Sequence, residues 1–491
     1  MEQFDLVVIG GGPSGYAGAM RAIDFGKKVL LVEKKRIGGA GLYNGVLTSK
    51  TLWEQALKVA SIREIMPDFE PKFDDFSKIV DEALFERKTQ MTIHLQMLQK
   101  QQNKLFFYEK GSAYILDKHT IQLTKEDGSV KTVSASNILL ATGSSPRVPA
   151  NIAVDENIIV TSDGIRNFKA FPESMVVLGA GVIGCEFATI FSAFGKTKVN
   201  LIDKADRILP FEDEDVAQVV TDSLIDQGAF VHHGSSLKRM EVKNGKVEYE
   251  LEFKDGKTEV FHVEKALISI GRAPNIKNLG LESLGIRITE RGSIWNDDTQ
   301  TNLSNIYVAG DVTTQVALVN VGEREARHAV VRMFGPTVKP LSYKNISTIM
   351  FLNPEVASVG MSEQELVAKG IAHKVVKLDY TTNARAIAMR KTKGFFKIIV
   401  TNDSGMRILG MRVVGEHASS AIQGVAYLIH TNQGIKELAD MMHPHPSIIE
   451  GVQECLRMLL NKSIYKPYIF KDRLKCYVCE NGHCTPIESL V

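Results

Sequence analysis

Cysteine is scarce in this chain of 491 residues: there are five, and none precedes Cys185. That excludes a secreted disulfide framework. An excess of one charge is also missing. The 59 basic and 57 acidic residues leave a formal charge of +2, so no electrostatic field recruits nucleic acid or a membrane surface. No apolar run approaches the ~20 residues that cross a bilayer. The sequence enters a strand pattern at "FDLVVIG", only three residues from its start. That predicts neither a signal nor a transit peptide, and a cytoplasmic location. At 44% hydrophobic and 24% charged residues, the composition is that of an ordinary globular protein. The length suggests about three domains.

Glycine, by contrast, falls in two informative patterns. "FDLVVIGGGPSGYAGAMRAIDFGKKVLLVEKK" reads as strand, turn, helix and strand. Gly10, Gly12 and Gly15 form G-x-G-x-x-G, and Glu33 ends the next strand eighteen residues after Gly15. Gly10 permits the tight turn, Gly12 lets backbone N–H groups approach a pyrophosphate, and Gly15 lets the helix pack closely. Glu33 is placed to accept a hydrogen bond from a ribose 2′-hydroxyl. The pattern returns at "SMVVLGAGVIGCEFATIFSAFGKTKVNLIDKADR". Gly179, Gly181 and Gly184 keep the spacing, and Asp203 follows nineteen residues after Gly184. Two such units predict two dinucleotide-binding domains. The Asp203 carboxylate would repel a 2′-phosphate, which favours NAD(H) over NADP(H). Lys204 and Arg207 temper that preference.

Between the two fingerprints the spacing of Phe76, Val80, Leu84, Met91, Leu95 and Leu98 predicts a packing helix over roughly 74–103. "NILLATGSSPRVP", "ALISIGRAPN" and "NIYVAGDV" read as strands that end in turns. From about residue 346 the pattern changes, and "GFFKIIVTNDSGMRILGMRVVG" alternates like an antiparallel hairpin. Cys185 and Cys455 sit in apolar helical patterns and are expected in the core. From Tyr465 the chain reads as an irregular tail.

Taken in order, these motifs resemble the class I pyridine nucleotide-disulfide oxidoreductase family from Phe4 to about residue 462. The resemblance implies an α/β protein with two Rossmann-like domains, for FAD and NAD, and a C-terminal α+β dimerisation domain. It divides the chain into an FAD-binding domain over 1–150 and 276–345, an NAD(P)-binding domain over 151–275, an interface domain over 346–465 and a cysteine-containing tail over 466–491. It places Thr142 and Gly143 of "ATGSSP" beside the FAD pyrophosphate and Asp311 of "AGD" near the ribityl chain. It also pairs Lys50 with Glu186 near the flavin N5, where a cation stabilises charge on reduced flavin. "HPHPSIIE" resembles the family's acid–base dyad, His445 with Glu450, five residues on at the start of a helix expected from Pro446. His443 reads as a turn residue. The implied assembly is a homodimer.

One motif departs from the family. Its redox loop carries two cysteines with four residues between them, and here those positions are Gly41 and Val46 in "GGAGLYNGVLTSK". Thiol relay through this loop is chemically excluded. Tyr43, Thr48 and Ser49 could bond a flavin or substrate, or only their own loop. The tail "CYVCENGHC" offers Cys476, Cys479, His483 and Cys484. They read as a redox pair, a four-ligand zinc set or loose thiols, and no metal is assigned. The leading expectation is an NAD(P)H oxidoreductase that passes hydride through FAD to an unknown acceptor: a transhydrogenase, quinone reductase or diaphorase. Two alternatives stand beside it. One is a dihydrolipoyl dehydrogenase-like thiol-disulfide enzyme that uses the tail cysteines. The other is a non-catalytic flavin-bound subunit.

Overall fold

A computed structural model describes every residue except 44, 314 and 488–491. The chain forms two compact units. One comprises Met1–Glu54, Lys72–Ala170 and Ile268–Leu341. The other comprises Gln55–Pro71, Phe171–Leu267 and the chain from Ser342 onward.

The first unit is built on the strand Glu2–Ile9, which lies parallel to Val29–Glu33 on one side and to Val130–Leu140 on the other. Leu6, Val7, Val8 and Ile9 are all buried, as expected of a strand covered on both faces. The chain leaves this strand for its two neighbours in opposite directions. That puts a topological switch point at its carboxyl end, where open α/β sheets bind ligands. Phe106–Ile115 and Ile306–Val308 extend the sheet, and the antiparallel strand Thr120–Lys125 joins Phe106–Ile115 to Val130–Leu140. The helix expected over 74–103 runs Phe73–Gln101 and buries Val80, Leu84, Met91 and Leu95.

The second unit holds three sheets; besides the antiparallel one of Ser236–Lys243, Lys246–Glu252 and Thr258–Val263 there are two of different kinds. In the first, Ser174–Leu178 pairs in parallel with Lys198–Ile202, which pairs in parallel with Phe230–His232. The second is a sheet of seven strands formed largely by the C-terminal part of the chain. Phe395–Thr401 and Ile408–Val414 make the expected antiparallel hairpin within it. The helices Gln423–Thr431 and Ile449–Leu459 cover one face, where Val425, Val452, Cys455 and Leu456 pack on Phe396, Ile398 and Met411. Cys185 and Cys455 are fully buried.

The irregular tail expected from Tyr465 is not what forms. Leu474–Glu480 pairs antiparallel with His373–Asp379, and His483–Pro486 pairs back on it, which adds two strands to the edge of the sheet. The reversal is a two-residue Asn-Gly turn, with φ of 51° at Asn481 and 79° at Gly482. Positive φ at both central residues is what a type I′ hairpin turn requires.

Candidate functional site: two nucleotide cradles and a loop without sulfur

At the switch point, Gly10 has φ of 108°, and a Cβ there would strike the carbonyl oxygen of Ala141. Gly15 is equally constrained, because its Cβ would fall on the carbonyl oxygen of Gly10. Gly12 differs. It caps the helix Pro13–Asp24 from an extended conformation, and a Cβ there would meet nothing within 4 Å. The helix N-terminus is therefore open at Gly12, with unpaired N–H groups and the positive end of the helix dipole presented to an anion. Glu33 is buried and closes the turn, accepting from the N–H of Gly11 at 2.7 Å and of Lys35 at 2.6 Å.

The second fingerprint repeats this construction. Gly179 has φ of 101°. Gly181 caps the helix Val182–Phe194 with open space where its Cβ would lie, and Gly184 is buried in that helix. Asp203 accepts from Ala180 N–H at 2.6 Å and from Ala205 N–H at 2.9 Å. Both cradles thus offer an anion site that only a glycine backbone leaves open, and they fit the pyrophosphates of FAD and NAD(P)H. Gly181 has φ of −76°, which alanine adopts freely. Gly181→Ala is therefore expected to fold and to retain flavin while losing NADH affinity, read as a rise in KM with a normal flavin-to-protein absorbance ratio.

Around the first cradle the structure gathers residues from distant segments. Thr142 donates its hydroxyl to the carbonyl of Asn275 at 2.7 Å, and Asn275 N–H donates to the carbonyl of Gly143 at 2.9 Å. Gly143 has φ of 66°. Asp311 accepts from the Ser144 hydroxyl at 2.7 Å, and that hydroxyl in turn accepts from Arg272 Nε at 2.7 Å. Gly310 N–H donates to Glu325, itself 1% exposed, at 2.7 Å. Sequence reasoning missed Ser144, Arg272, Asn275 and Glu325. Their partners lie from 15 to 167 residues away, and no local pattern links them.

A family model for the pyridine nucleotide-disulphide oxidoreductases matches residues 4–326, and one for that family's dimerisation domain matches residues 346–456. The chain belongs to this family. It is similar to dihydrolipoyl dehydrogenase of Chlamydia muridarum, with 32% identity over 473 residues covering 95% of this chain and 99% of that one. Dihydrolipoyl dehydrogenase of Geobacillus stearothermophilus is also 32% identical, over 466 residues covering 94% and 97%. Among solved structures, LpdA from Mycobacterium tuberculosis superposes with a TM-score of 0.85 at 26% identity, covering 94% and 100%. The Cu(II) complex of the HOCl-induced flavoprotein disulfide reductase RclA from Escherichia coli gives 0.84 at 25%, covering 94% and 100%. Membership makes this chain an FAD-dependent oxidoreductase that uses NAD(P)H, with an α/β nucleotide-binding region and a C-terminal dimerisation domain. Among the described residues, no helix is long and apolar enough to cross a membrane.

The loop where the resemblance places the family's two cysteines carries Gly41 and Val46. Gly38 has φ of 95°, and Gly39–Leu42 and Val46–Ile65 are helical. A Cβ on Gly41 would lie 2.6 Å from Pro13 Cγ and 3.3 Å from its Cδ. Val46 is 43% exposed at the start of its helix. Thr48 donates to the carbonyl of Tyr43 at 2.7 Å and Ser49 to that of Gly45 at 3.0 Å, so both hydroxyls serve the loop. Lys50 follows on the same helix. Glu186 lies in the second unit, 5% exposed, and accepts from Phe351 N–H at 3.1 Å.

His445 Nδ1 lies 2.8 Å from Glu450 Oε1, and the ring is 71% exposed. Burial raises the Glu450 pKa, but the Ser447 N–H bond at 2.7 Å and the neighbouring His445 outweigh it and hold the carboxyl below its ordinary range. The helix expected from Pro446 begins at Ile449 instead. Ser447 N–H is taken by Glu450, a side-chain bond of the kind that precedes a helix rather than lying within one. His443, expected in a turn, lies in an irregular segment instead, with its Nε2 3.1 Å from the Leu438 carbonyl.

The tail thiols do not form the Cys-x-x-Cys pair. Cys479 is bonded to Cys484, and Cys476 is free. Residues three apart on a strand point to opposite faces. Cys476 enters the core beside Leu474 and Val376, where burial pushes its thiol up to about 12. The same alternation prevents Cys476 from joining Cys479, His483 and Cys484 around one metal ion.

Proposed function

We propose that this chain is a homodimeric FAD-dependent oxidoreductase that takes hydride from NADH and hands electrons to a second acceptor without a disulfide in its flavin-side loop. Its acceptor chemistry is then of the transhydrogenase, quinone reductase or diaphorase type. The observation that carries this reading is Gly41 packed against the Pro13 ring. The position that would bear the first thiol has no room for a side chain, and the rest of the loop has no sulfur.

Bound FAD supplies a carrier that takes two electrons as hydride and releases them singly or in pairs. The chain's own residues bind and orient it. The open N–H groups at Gly12 hold its pyrophosphate, Glu33 a ribose hydroxyl, Thr142 and Gly143 the adjoining turn, and Asp311 a ribityl hydroxyl. The exposed Val46 packs on the ring system in place of sulfur. Lys50 would stabilise negative charge at N5 of the bound flavin. Gly179, Gly181 and Gly184 shape the nicotinamide dinucleotide site.

Preference for NADH rests on Asp203, which would meet a 2′-phosphate with like charge. Arg207 does not offset this, because its guanidinium is committed to the carbonyls of Leu209 and Pro210 and to Gln364 at 2.7 Å. The hydrogen-bonded His445–Glu450 pair, with its ring exposed, delivers the proton that a reduced acceptor needs. A relay through Cys185 is chemically unattractive. It is fully buried, donates to the Ala180 carbonyl, and has a thiol pKa driven far up by burial.

The test is an anaerobic NADH titration of the wild type and of a variant in which Cys476, Cys479 and Cys484 are all serine. Both are expected to bleach the flavin with a single equivalent, to show no long-wavelength thiolate–flavin band, and to reduce a dye at equal rates. Uptake of four electrons by the wild type, or loss of dye reduction in the variant, would overturn the proposal.

A further inference from the structure

We propose that the C-terminal hairpin closes a thiolate-containing site for a divalent metal of the zinc type, and that the Cys479–Cys484 disulfide is its oxidised, metal-free form. The ligands are Cys479, His373, Glu363 and, once the bond is cut, Cys484. All four lie in the second unit, and none belongs to the nucleotide cradles or the His445 dyad.

Strand register creates the site. His373 and Cys479 are direct cross-strand partners, as are Val375 and Tyr477 two positions along. All four side chains therefore share one face of the sheet, opposite the face that holds Cys476. Glu363 opens the short helix Glu363–Ala368, and Tyr477 donates to its carboxylate at 2.9 Å. A ring nitrogen of His373, Cys479 Sγ and a carboxylate oxygen of Glu363 lie within 4.8 Å of one another. In a tetrahedral zinc centre the ligand atoms are about 3.3–3.8 Å apart, given metal–ligand bonds of ~2.0–2.3 Å. Rotation of Cys479 out of the disulfide can supply the remaining closure.

His373 shows that something is owed here. It is 1% exposed, its Nδ1 is 2.7 Å from the carbonyl of Ile371, and its Nε2 is buried with no hydrogen-bond partner among the described residues. A proton on Nδ1, given to the carbonyl, leaves the Nε2 lone pair free, which is the arrangement of a metal-binding histidine. A buried nitrogen without a partner loses its hydration with nothing in return. The surrounding charge also favours a cation. Among the described residues, Asp213, Asp215 and Glu363 make ion pairs with two cations, Lys397 and Lys377. Two thiolates, one imidazole and one carboxylate make a borderline donor set that suits zinc better than magnesium or calcium.

A dithiol reductant switches the site on. Its thiolate attacks the Cys484 sulfur, which is exposed while Cys479 is buried. The Cys479–Cys484 bond breaks with Cys479 as the leaving group. The second thiol of the reductant then closes its own disulfide and releases Cys484. Two electrons and two protons pass to the protein, and the reductant loses the same. Metal binding displaces the two thiol protons to solvent.

Cobalt(II) is the probe, added anaerobically to the full-length flavoprotein after reduction with a dithiol and desalting. The reduced wild type is expected to bind a single cobalt ion with an intense tetrahedral absorption in the red, clear of the flavin, that zinc abolishes. The oxidised protein should show none. Cys484→Ser, which cannot form the disulfide, should bind cobalt without reductant. Cys479→Ser and His373→Gln should weaken binding by roughly 100-fold or more, beyond the ~10–100-fold typical of an outer-shell partner. Unchanged flavin absorption and thermal midpoint will report that these two variants are folded. Absence of the red band in the reduced wild type, or its survival in a folded Cys479→Ser, would overturn the proposal.

Discussion

Gly12→Ala is expected to yield a folded protein with no flavin, and Gly15→Ala a protein whose first unit does not fold. The two glycines stand three residues apart in one motif, yet physical chemistry separates them. At Gly12 the backbone has φ of −71°, and an added methyl would enter open space. Alanine fits that conformation, so the fold does not suffer. The methyl fills the position where a pyrophosphate oxygen must approach the backbone N–H groups. At Gly15 the methyl would fall on the carbonyl oxygen of Gly10. Relief requires the helix to move off the central strand, and cores packed to crystal-like density do not yield locally. Flavin absorbance per chain, read beside far-ultraviolet circular dichroism, distinguishes the two. A yellow Gly12→Ala protein would remove the cradle from the argument.

Arg412→Met is expected to destabilise the second unit by about 3–5 kcal/mol, the cost of leaving one member of a buried ion pair alone. Arg412 and Glu212 are 5% and 4% exposed and meet at 3.0 Å. Arg412 NH1 also donates to the carbonyls of Val359, Gly360, Met361 and Met411. Removing the guanidinium therefore strands a carboxylate left, among the described residues, with the Ser358 hydroxyl at 3.2 Å, together with several carbonyls. Replacing both partners, as Glu212→Leu with Arg412→Met, should recover much of the loss, because the uncompensated charge is gone. Denaturant unfolding of the single and double variants measures the coupling. A double variant no more stable than Arg412→Met would show that the carbonyl bonds, not the ion pair, carry the energy.

What could be read in the sequence was local. Gly10 to Glu33 and Gly179 to Asp203 specify strand, turn and helix within about thirty residues each, and the structure forms both. The alternation in "GFFKIIVTNDSGMRILGMRVVG" likewise needs only its own hairpin. The tail was misread although it holds a strong local signal. Asn481–Gly482 joins two alternating runs, but the cysteine spacing drew attention to Cys476 and Cys479 as a pair. Nothing local could reveal that Leu474–Glu480 lies beside His373–Asp379, about a hundred residues earlier. The bonds around Asp311 were hidden for the same reason, since Ser144 and Arg272 arrive from separate segments.

Gly41 and Pro13 are coupled positions. Sulfur cannot be restored to the loop by altering the loop alone, because the pyrrolidine ring already occupies the room a thiol side chain would need. That ring also begins the helix whose N-terminus faces the nucleotide phosphates. A side chain introduced at residue 41 would therefore press on the first residue of that helix.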